Sequence, residues 1–311
     1  MRKLIYTIAT AIIFSLAFTS CEEKNNNGNG NGYGNGYENG IRKLPIRIVM
    51  TATDFPDWIY TWIFRYDEQN RLTEFIVEWE SEWGTSSEIY KIEYDANNRV
   101  SKIIYFWSNN ESTLVRTFQY VDNQMYITNT NYWGDTLFIG RMTLNTNGQV
   151  TKWEFKIEQQ KWIIGRTLTY TNGNLTQDKI TGESEWITDF TYSSALNVFR
   201  NVASPDWLFL FDELLFLFFP PSQYMPSKVT TTPANELGDI FITYQTDLNG
   251  WVTSSTITIT GTDSFEDYSS RTNTSRFFEE SSRFGTRAQV STRDNAETIT
   301  VNMTFEYILA K

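Results

Sequence analysis

The chain has 311 residues, 40% of them hydrophobic and 16% aromatic, a formal net charge of −11, one cysteine and no histidine. A chain of this length can bury a large core, but it can close no internal disulfide and lacks the commonest general base and zinc ligand. The acidic balance, with no basic patch, excludes nucleic acid as a partner.

Met1-Arg2-Lys3 is a short positive start, and Leu4 to Phe18 is an apolar run too short to span a bilayer. Small residues then lead into Cys21, so residues 1–20 read as a secretory signal and lie outside the fold. The placement of the only cysteine resembles the lipobox of bacterial lipoproteins, although Phe18 stands where leucine is usual. That resemblance implies acylation of Cys21. The Glu22-Glu23-Lys24 that follows looks like the acidic export tag of surface lipoproteins of Bacteroidetes.

Residues 21–40 form an Asn/Gly-rich tether, with seven Asn and six Gly in its last 19 positions. Such a stretch has too little apolar surface to offset its ordering entropy. A single folded domain is expected over residues 41–311. Ile46 to Thr53 is its first strand, with Ile46, Ile48 and Met50 on one face, and the chain turns at Pro56.

From Tyr66 onward the chain repeats itself. Tyr66-Asp67-Glu68-Gln69-Asn70-Arg71-Leu72-Thr73 returns as Tyr94-Asp95-Ala96-Asn97-Asn98-Arg99-Val100-Ser101 and fades into Asn147-Gly148-Gln149-Val150 and Asn172-Gly173-Asn174-Leu175. Leu72, Val100, Met125, Val150 and Leu175 follow at steps of 28, 25, 25 and 25 residues. A strand ending in tyrosine, an Asp/Asn/Gly turn and a β-branched or aliphatic strand make a hairpin, and a steady period makes an array of them. Phe75, Val77 and Trp79, then Ile103, Tyr105 and Trp107, then Trp153, Phe155 and Ile157 share one face, and mostly charged residues share the other. The units at Thr128 to Tyr132 and Asp178 to Gly182 obey this pattern poorly, which predicts thinning or bending there.

Ser204-Pro205-Asp206 opens an apolar run from Trp207 to Phe219 that Pro220-Pro221 closes. It predicts a helix near 205–219 laid across the apolar face, with Asp212 and Glu213 at its wet edge. Lys228 to Thr232 and Ile240 to Tyr244 read as strands, and Tyr244 to Thr253 restates the repeat. Residues 261–297 are a polar loop, and Ala296 to Leu309 closes the fold. The fold class is therefore all-β, a long antiparallel meander of repeated hairpins with one short inserted apolar helix packed on one face.

The Tyr-Asp-x-x-Asn-Arg-Leu-Thr unit resembles the YD repeat of RHS-type proteins. With the lipoprotein signal, the tether, the apolar helix and the later Tyr224 to Thr230 strand, the chain looks like a family of secreted lipoproteins of gut Bacteroidetes. The resemblance implies a fold and a compartment, an outer-membrane lipoprotein exposed at the cell surface. It carries over no catalytic residue.

A candidate ligand-binding row is formed by Trp79, Trp107, Trp133, Trp162 and Trp186, which recur near the repeat period and should line one edge of the sheet. They could stack on sugar rings or fill the core as a cross-strand ladder. Carboxylates are plentiful, and Glu78, Glu80 and Glu82 crowd around Trp79 and Trp83, where a pair could hydrolyse a glycoside if held at the right separation, but their alternation on one strand favours a solvated acidic edge. No phosphate loop, nucleophile elbow, metal spacing or cofactor motif occurs. The expected function is non-enzymatic: a membrane-anchored scaffold that binds a glycan or an envelope protein. Its alternatives are a carboxylate-based hydrolase and a purely structural role in envelope assembly.

Overall fold

A computed structural model of the chain describes residues 42–310, apart from 54, 82–83, 108–110, 132, 157–160, 182–184, 206, 209–212, 233–238 and 261–297. The signal, the tether, Glu82, Asp212 and the 261–297 loop lie outside the described residues.

Sixteen strands follow one another in chain order. The first eight are β1 (Lys43–Ala52), β2 (Phe55–Tyr66), β3 (Leu72–Ser81), β4 (Gly84–Tyr94), β5 (Val100–Trp107), β6 (Glu111–Val121), β7 (Gln124–Asn131) and β8 (Thr136–Leu144). The second eight are β9 (Val150–Lys156), β10 (Ile163–Thr171), β11 (Asn174–Ile180), β12 (Trp186–Leu196), β13 (Tyr224–Thr232), β14 (Asp239–Thr246), β15 (Val252–Thr260) and β16 (Thr298–Leu309). Each pairs antiparallel with the next, and β1 pairs with β16, so the meander closes into a barrel and has no edge strands. An open ribbon would have left both ends of the array unpaired. Two boundaries differ from expectation: β1 begins earlier, with a bulge between Pro45 and Arg47, and Pro56 lies inside β2 rather than in a turn.

The turn residues account for the repeat. Asp67 Oδ1 accepts from the backbone N–H groups of Gln69 and Arg71, and Asp95 Oδ1 accepts from those of Asn97 and Arg99. Asn70 and Asn98 then take φ of 62° and 61°, the left-handed conformation asparagine tolerates. Arg71 pairs with Asp67 and lies 4.4 Å over the ring of Tyr94, one hairpin on; Arg99 repeats this over Tyr120 at 4.6 Å.

The tyrosine has a separate task. Facing strands from neighbouring hairpins are paired toward one end of the barrel and part company before the Asp/Asn turns. Their last pairs are Arg47 with Ile63, Glu74 with Lys91, Lys102 with Thr117, Lys152 with Thr167, Gln177 with Asp189, Lys228 with Phe241 and Ser254 with Thr304. Across these gaps the tyrosine hydroxyl donates to the carbonyl two residues before the last pair: Tyr66 to Pro45, Tyr94 to Leu72, Tyr120 to Val100, Tyr192 to Leu175, Tyr244 to Pro226 and Tyr307 to Val252. Where the chain has Leu144 in place of tyrosine, the facing strands stay paired to Gln124 and Thr143, and Leu144 N–H donates to Asn123. The splay and the tyrosine occur together. It also explains two prolines inside strands, because Pro45 and Pro226 stand where a backbone N–H would face a gap.

The inner wall is mostly apolar, with Leu44, Ile48, Trp62, Phe75, Ile103, Met125, Ile127, Val229 and Ile257 fully buried. The outer wall carries ion pairs on many strands, among them Arg47 with Glu306, Arg65 with Glu74, Lys102 with Glu93 and Lys228 with Asp239. The segment between β12 and β13 fills the barrel. Among the described residues its helix α1 (Glu213–Phe218) falls in the last part of the expected 205–219, and it lies within a closed wall rather than across an open face. Phe199 meets Phe64 of β2, Trp207 meets Phe118 of β6, Phe216 meets Phe190 of β12 and Phe219 meets Phe305 of β16. One segment thus touches the wall at four well-separated strands.

Candidate functional site: the tryptophan rim and the plugged interior

The plug enters from the end that carries the Asp/Asn turns. Ala203 N–H donates to Asn70, Asn201 Nδ2 to the Lys43 carbonyl and Gln223 N–H to Asn174 Oδ1. Two serines fix it. Ser204 Oγ accepts from Leu72 N–H at 2.6 Å and bonds Tyr94 at 2.7 Å; Ser222 Oγ accepts from Leu175 N–H at 2.9 Å and bonds Tyr192 at 2.6 Å. Leu72 starts β3 and Leu175 is the second residue of β11, both at gaps, so their N–H groups have no facing carbonyl and the serines supply the acceptor. Burial pushes the Tyr192 hydroxyl up, Ser222 opposing.

The inner wall holds two polar clusters at mid-strand. Arg166 and Asp178 form an ion pair at 2.6 Å, 4% and 2% exposed, with the Arg166 guanidinium 4.3 Å over the ring of Phe216. Asp178 therefore explains the weak apolar pattern of β11. Arg116, also buried, donates from Nε to Asn129 Oδ1 at 2.8 Å; burial pulls it down to about 10, against Tyr90, Tyr105 and Glu88. Trp153 lies over two glycines: a Cβ at Gly165 would come within 2.6 Å of its ring, and one at Gly140 within 3.1 Å of its Nε1.

The tryptophans singled out in the sequence all fall toward the opposite end from the Asp/Asn turns, but not on one side of the wall. Trp79 and Trp107 face inward and meet edge to face with ring centroids 5.6 Å apart, and Trp79 stacks on Tyr60. Trp107 is 41% and Trp133, in the β7–β8 turn, is 74% exposed. Trp162 packs between the Arg141 guanidinium and Lys156, and Trp186, half-buried, pairs across the wall with Ile180. Leu137, Ile163 and Ile164 are also exposed near this end, so strands β5 to β10 present an apolar stretch of rim. Glu78 and Glu80 alternate with Trp79 toward the outer wall and share no cleft. Among the described residues no cluster of three or more Asp, Glu, His or Cys could hold a metal.

No protein-family model and no curated protein matches the chain. Among solved structures, it is similar to a porin-like protein from Bacteroides uniformis, with 16% identity and a TM-score of 0.51 over 84% of this chain and 96% of the other. The likeness is one of fold.

It stops short of wall chemistry. A barrel that spans a membrane turns an apolar band to lipid and a polar face to its lumen. This wall encloses a mostly apolar plug, and its outer face carries ion pairs on several strands beside a row of half-buried apolar residues, Ile63, Ile76, Ile89 and Phe106. The sequence showed the rim tryptophans and missed the plug contacts, whose serines carry no periodic signal.

Proposed function

We propose that the chain is a non-enzymatic cell-envelope lipoprotein whose water-facing barrel is held at the outer membrane through acylated Cys21 and residues 21–40. The supporting observation is geometric. β1 begins at Lys43 beside the plug, so an N-terminal anchor attaches at the plugged end and the tryptophan rim points away from it. The charged outer wall suits a domain standing in water, and the rim is where a ligand meets it. Trp107 and Trp133 are the exposed rings there, and a glycan is the ligand class that flat aromatic faces favour.

Two measurements test this. Replacing Cys21 by Ala should abolish incorporation of labelled fatty acid and move the protein from the membrane to the soluble fraction. Glycan-array binding should fall at least tenfold in Trp107→Ala/Trp133→Ala at unchanged melting temperature; undiminished binding would remove the rim from this reading. A purely structural envelope role is the second reading, favoured by the packing of Trp79, Trp162 and Trp186 against their neighbours. It predicts no glycan binding and envelope defects on deletion.

A further inference from the structure

One turn of the repeat departs from its counterparts. Asp67 to Arg71, Asp95 to Arg99, Asn145 to Gln149 and Asp247 to Trp251 share one set of hydrogen bonds. The first residue's side-chain oxygen accepts from the third and fifth N–H groups, and its own N–H donates to the fifth carbonyl. The second position makes none of these bonds; it is Glu68, Ala96 and Thr146 in three turns and Leu248 in the fourth. Leu248 is fully exposed, so neither turn chemistry nor packing accounts for a leucine there. The fifth position changes as well. Arg71 and Arg99 pair with their own aspartates, whereas Trp251 is buried and Asp247 pairs with Lys43 of β1 at 3.0 Å. Lys43 and Arg200 lie over the Trp251 ring at 5.7 and 4.4 Å.

This turn stands beside the point where the chain enters the barrel. Lys43 pairs with Leu309, and Ala310 N–H donates to the Arg42 carbonyl. Leu309 is 69% and Ile308 43% exposed, so with Leu248 they make an apolar corner on the plugged end, around the Lys43–Asp247 pair. Arg42, Lys43 and Arg200 accompany it against one carboxylate, Asp247, in a chain whose formal net charge is −11. The corner is locally positive.

We propose that this corner rests on the surface of an anionic phospholipid bilayer. The inference depends on the lipoprotein reading for what brings the bilayer near: residues 21–40 have a reach of roughly 25 Å and join the barrel here. The leucine and isoleucine tips enter the headgroup region, and the cations face its phosphates. Three side chains are too few for a stable protein interface, which buries upward of about 1,000 Å². A domain already held by a lipid needs no such area, since the tether makes the contact intramolecular. Over a screening length of about 8 Å the local cations, rather than the chain's total charge, decide the sign of the contact. The barrel then stands plug-down, with the tryptophan rim outward.

The test couples the thiol of Cys21, the chain's only cysteine, to a maleimide lipid in vesicles of phosphatidylethanolamine and phosphatidylglycerol. The protein is the mature chain from Cys21, and the chemical bond makes the result independent of acylation in the cell. A spin label on the headgroups should broaden the methyl signals of Leu248, Ile308 and Leu309 at least fivefold more than those of Leu137 and Ile163 at the rim. In Leu248→Asp/Leu309→Asp the Ile308 signal should lose that broadening at unchanged melting temperature. Exchanging phosphatidylglycerol for phosphatidylcholine should weaken it in the unaltered chain, a measurement that needs no variant. Equal broadening at both ends, broadening at the rim alone, or indifference to both changes would overturn the proposal, as would a dimer that buries these methyls without vesicles. Failure here leaves fatty-acid labelling of Cys21 untouched, so the docking and the anchor fall separately.

Discussion

Ser204 and Ser222, at the two ends of the plug, make the same contact at two different gaps in the barrel: each accepts from a leucine N–H near the start of a strand and bonds the tyrosine that bridges that gap. Each tyrosine donates its only proton to the leucine carbonyl, so the serine must be the donor toward the tyrosine. Three groups are thereby satisfied around one hydroxyl.

Removing that hydroxyl strands the buried N–H of Leu72. Ser204→Ala should cost about 1–3 kcal/mol in denaturant unfolding, and Tyr94→Phe a similar amount through the Leu72 carbonyl. Because the two share partners, the double variant should cost less than the two single losses added. Strict additivity would show that the contact is not a unit.

The Arg166–Asp178 pair should respond more strongly. Asp178→Ala leaves a guanidinium buried at 4% exposure and should destabilise by roughly 3–5 kcal/mol. Replacing both residues with apolar ones of similar volume should recover most of that loss, and calorimetry of the three variants distinguishes the cases.

Gly165→Ala places a methyl within 2.6 Å of Trp153 and should lower stability by about 1–3 kcal/mol. Gly165→Ala combined with Trp153→Leu should relieve the clash. Near-ultraviolet circular dichroism of Gly165→Ala should report displacement of the indole.

Stability should fall on both sides of neutrality. Burial raises Tyr66, Tyr192, Tyr244 and Tyr307 above the ordinary value near 10. A raised folded value means that their contribution is complete below about pH 10 and is lost as pH climbs toward the folded values. On the acid side, the Lys228 hydrogen bond holds Asp239 down against burial. Burial alone would raise Asp95, but its bonds from Arg99 and Asn97 hold it below the usual carboxylate range. Lowered folded values mean stability that is present above about pH 4 and lost as pH falls through them. Unfolding midpoints should therefore plateau between about pH 5 and 9, with tyrosinate absorbance from these four residues appearing only as the chain unfolds.

The hairpins were legible because their causes are local. Asp67, Asn70 and Arg71 satisfy one another within a turn, and Phe75, Val77 and Trp79 alternate within a strand, so spacing reports both. Closure was not legible, since pairing of β1 with β16 joins Met50 to Met303 and no period in the chain says how many hairpins complete a circle. The plug was half legible: Trp207 to Phe219 is plainly apolar, but only a closed wall makes its burial an interior one. Of the rim, the sequence placed Trp79 and Trp107 together correctly. It could not see that Trp162 has crossed to the outer wall, where Arg141 and Lys156 hold it.

The serine contacts also act as a ruler. Ser204 is seated between β3 and β4 and Ser222 between β11 and β12, so the plug measures off a fixed arc of the circumference. Arrays of near-identical units ordinarily gain or lose members with ease. In this chain a lost or duplicated hairpin within that arc would pull the two serines out of step with their leucines, so the filling, rather than the wall, limits how the ring can change size.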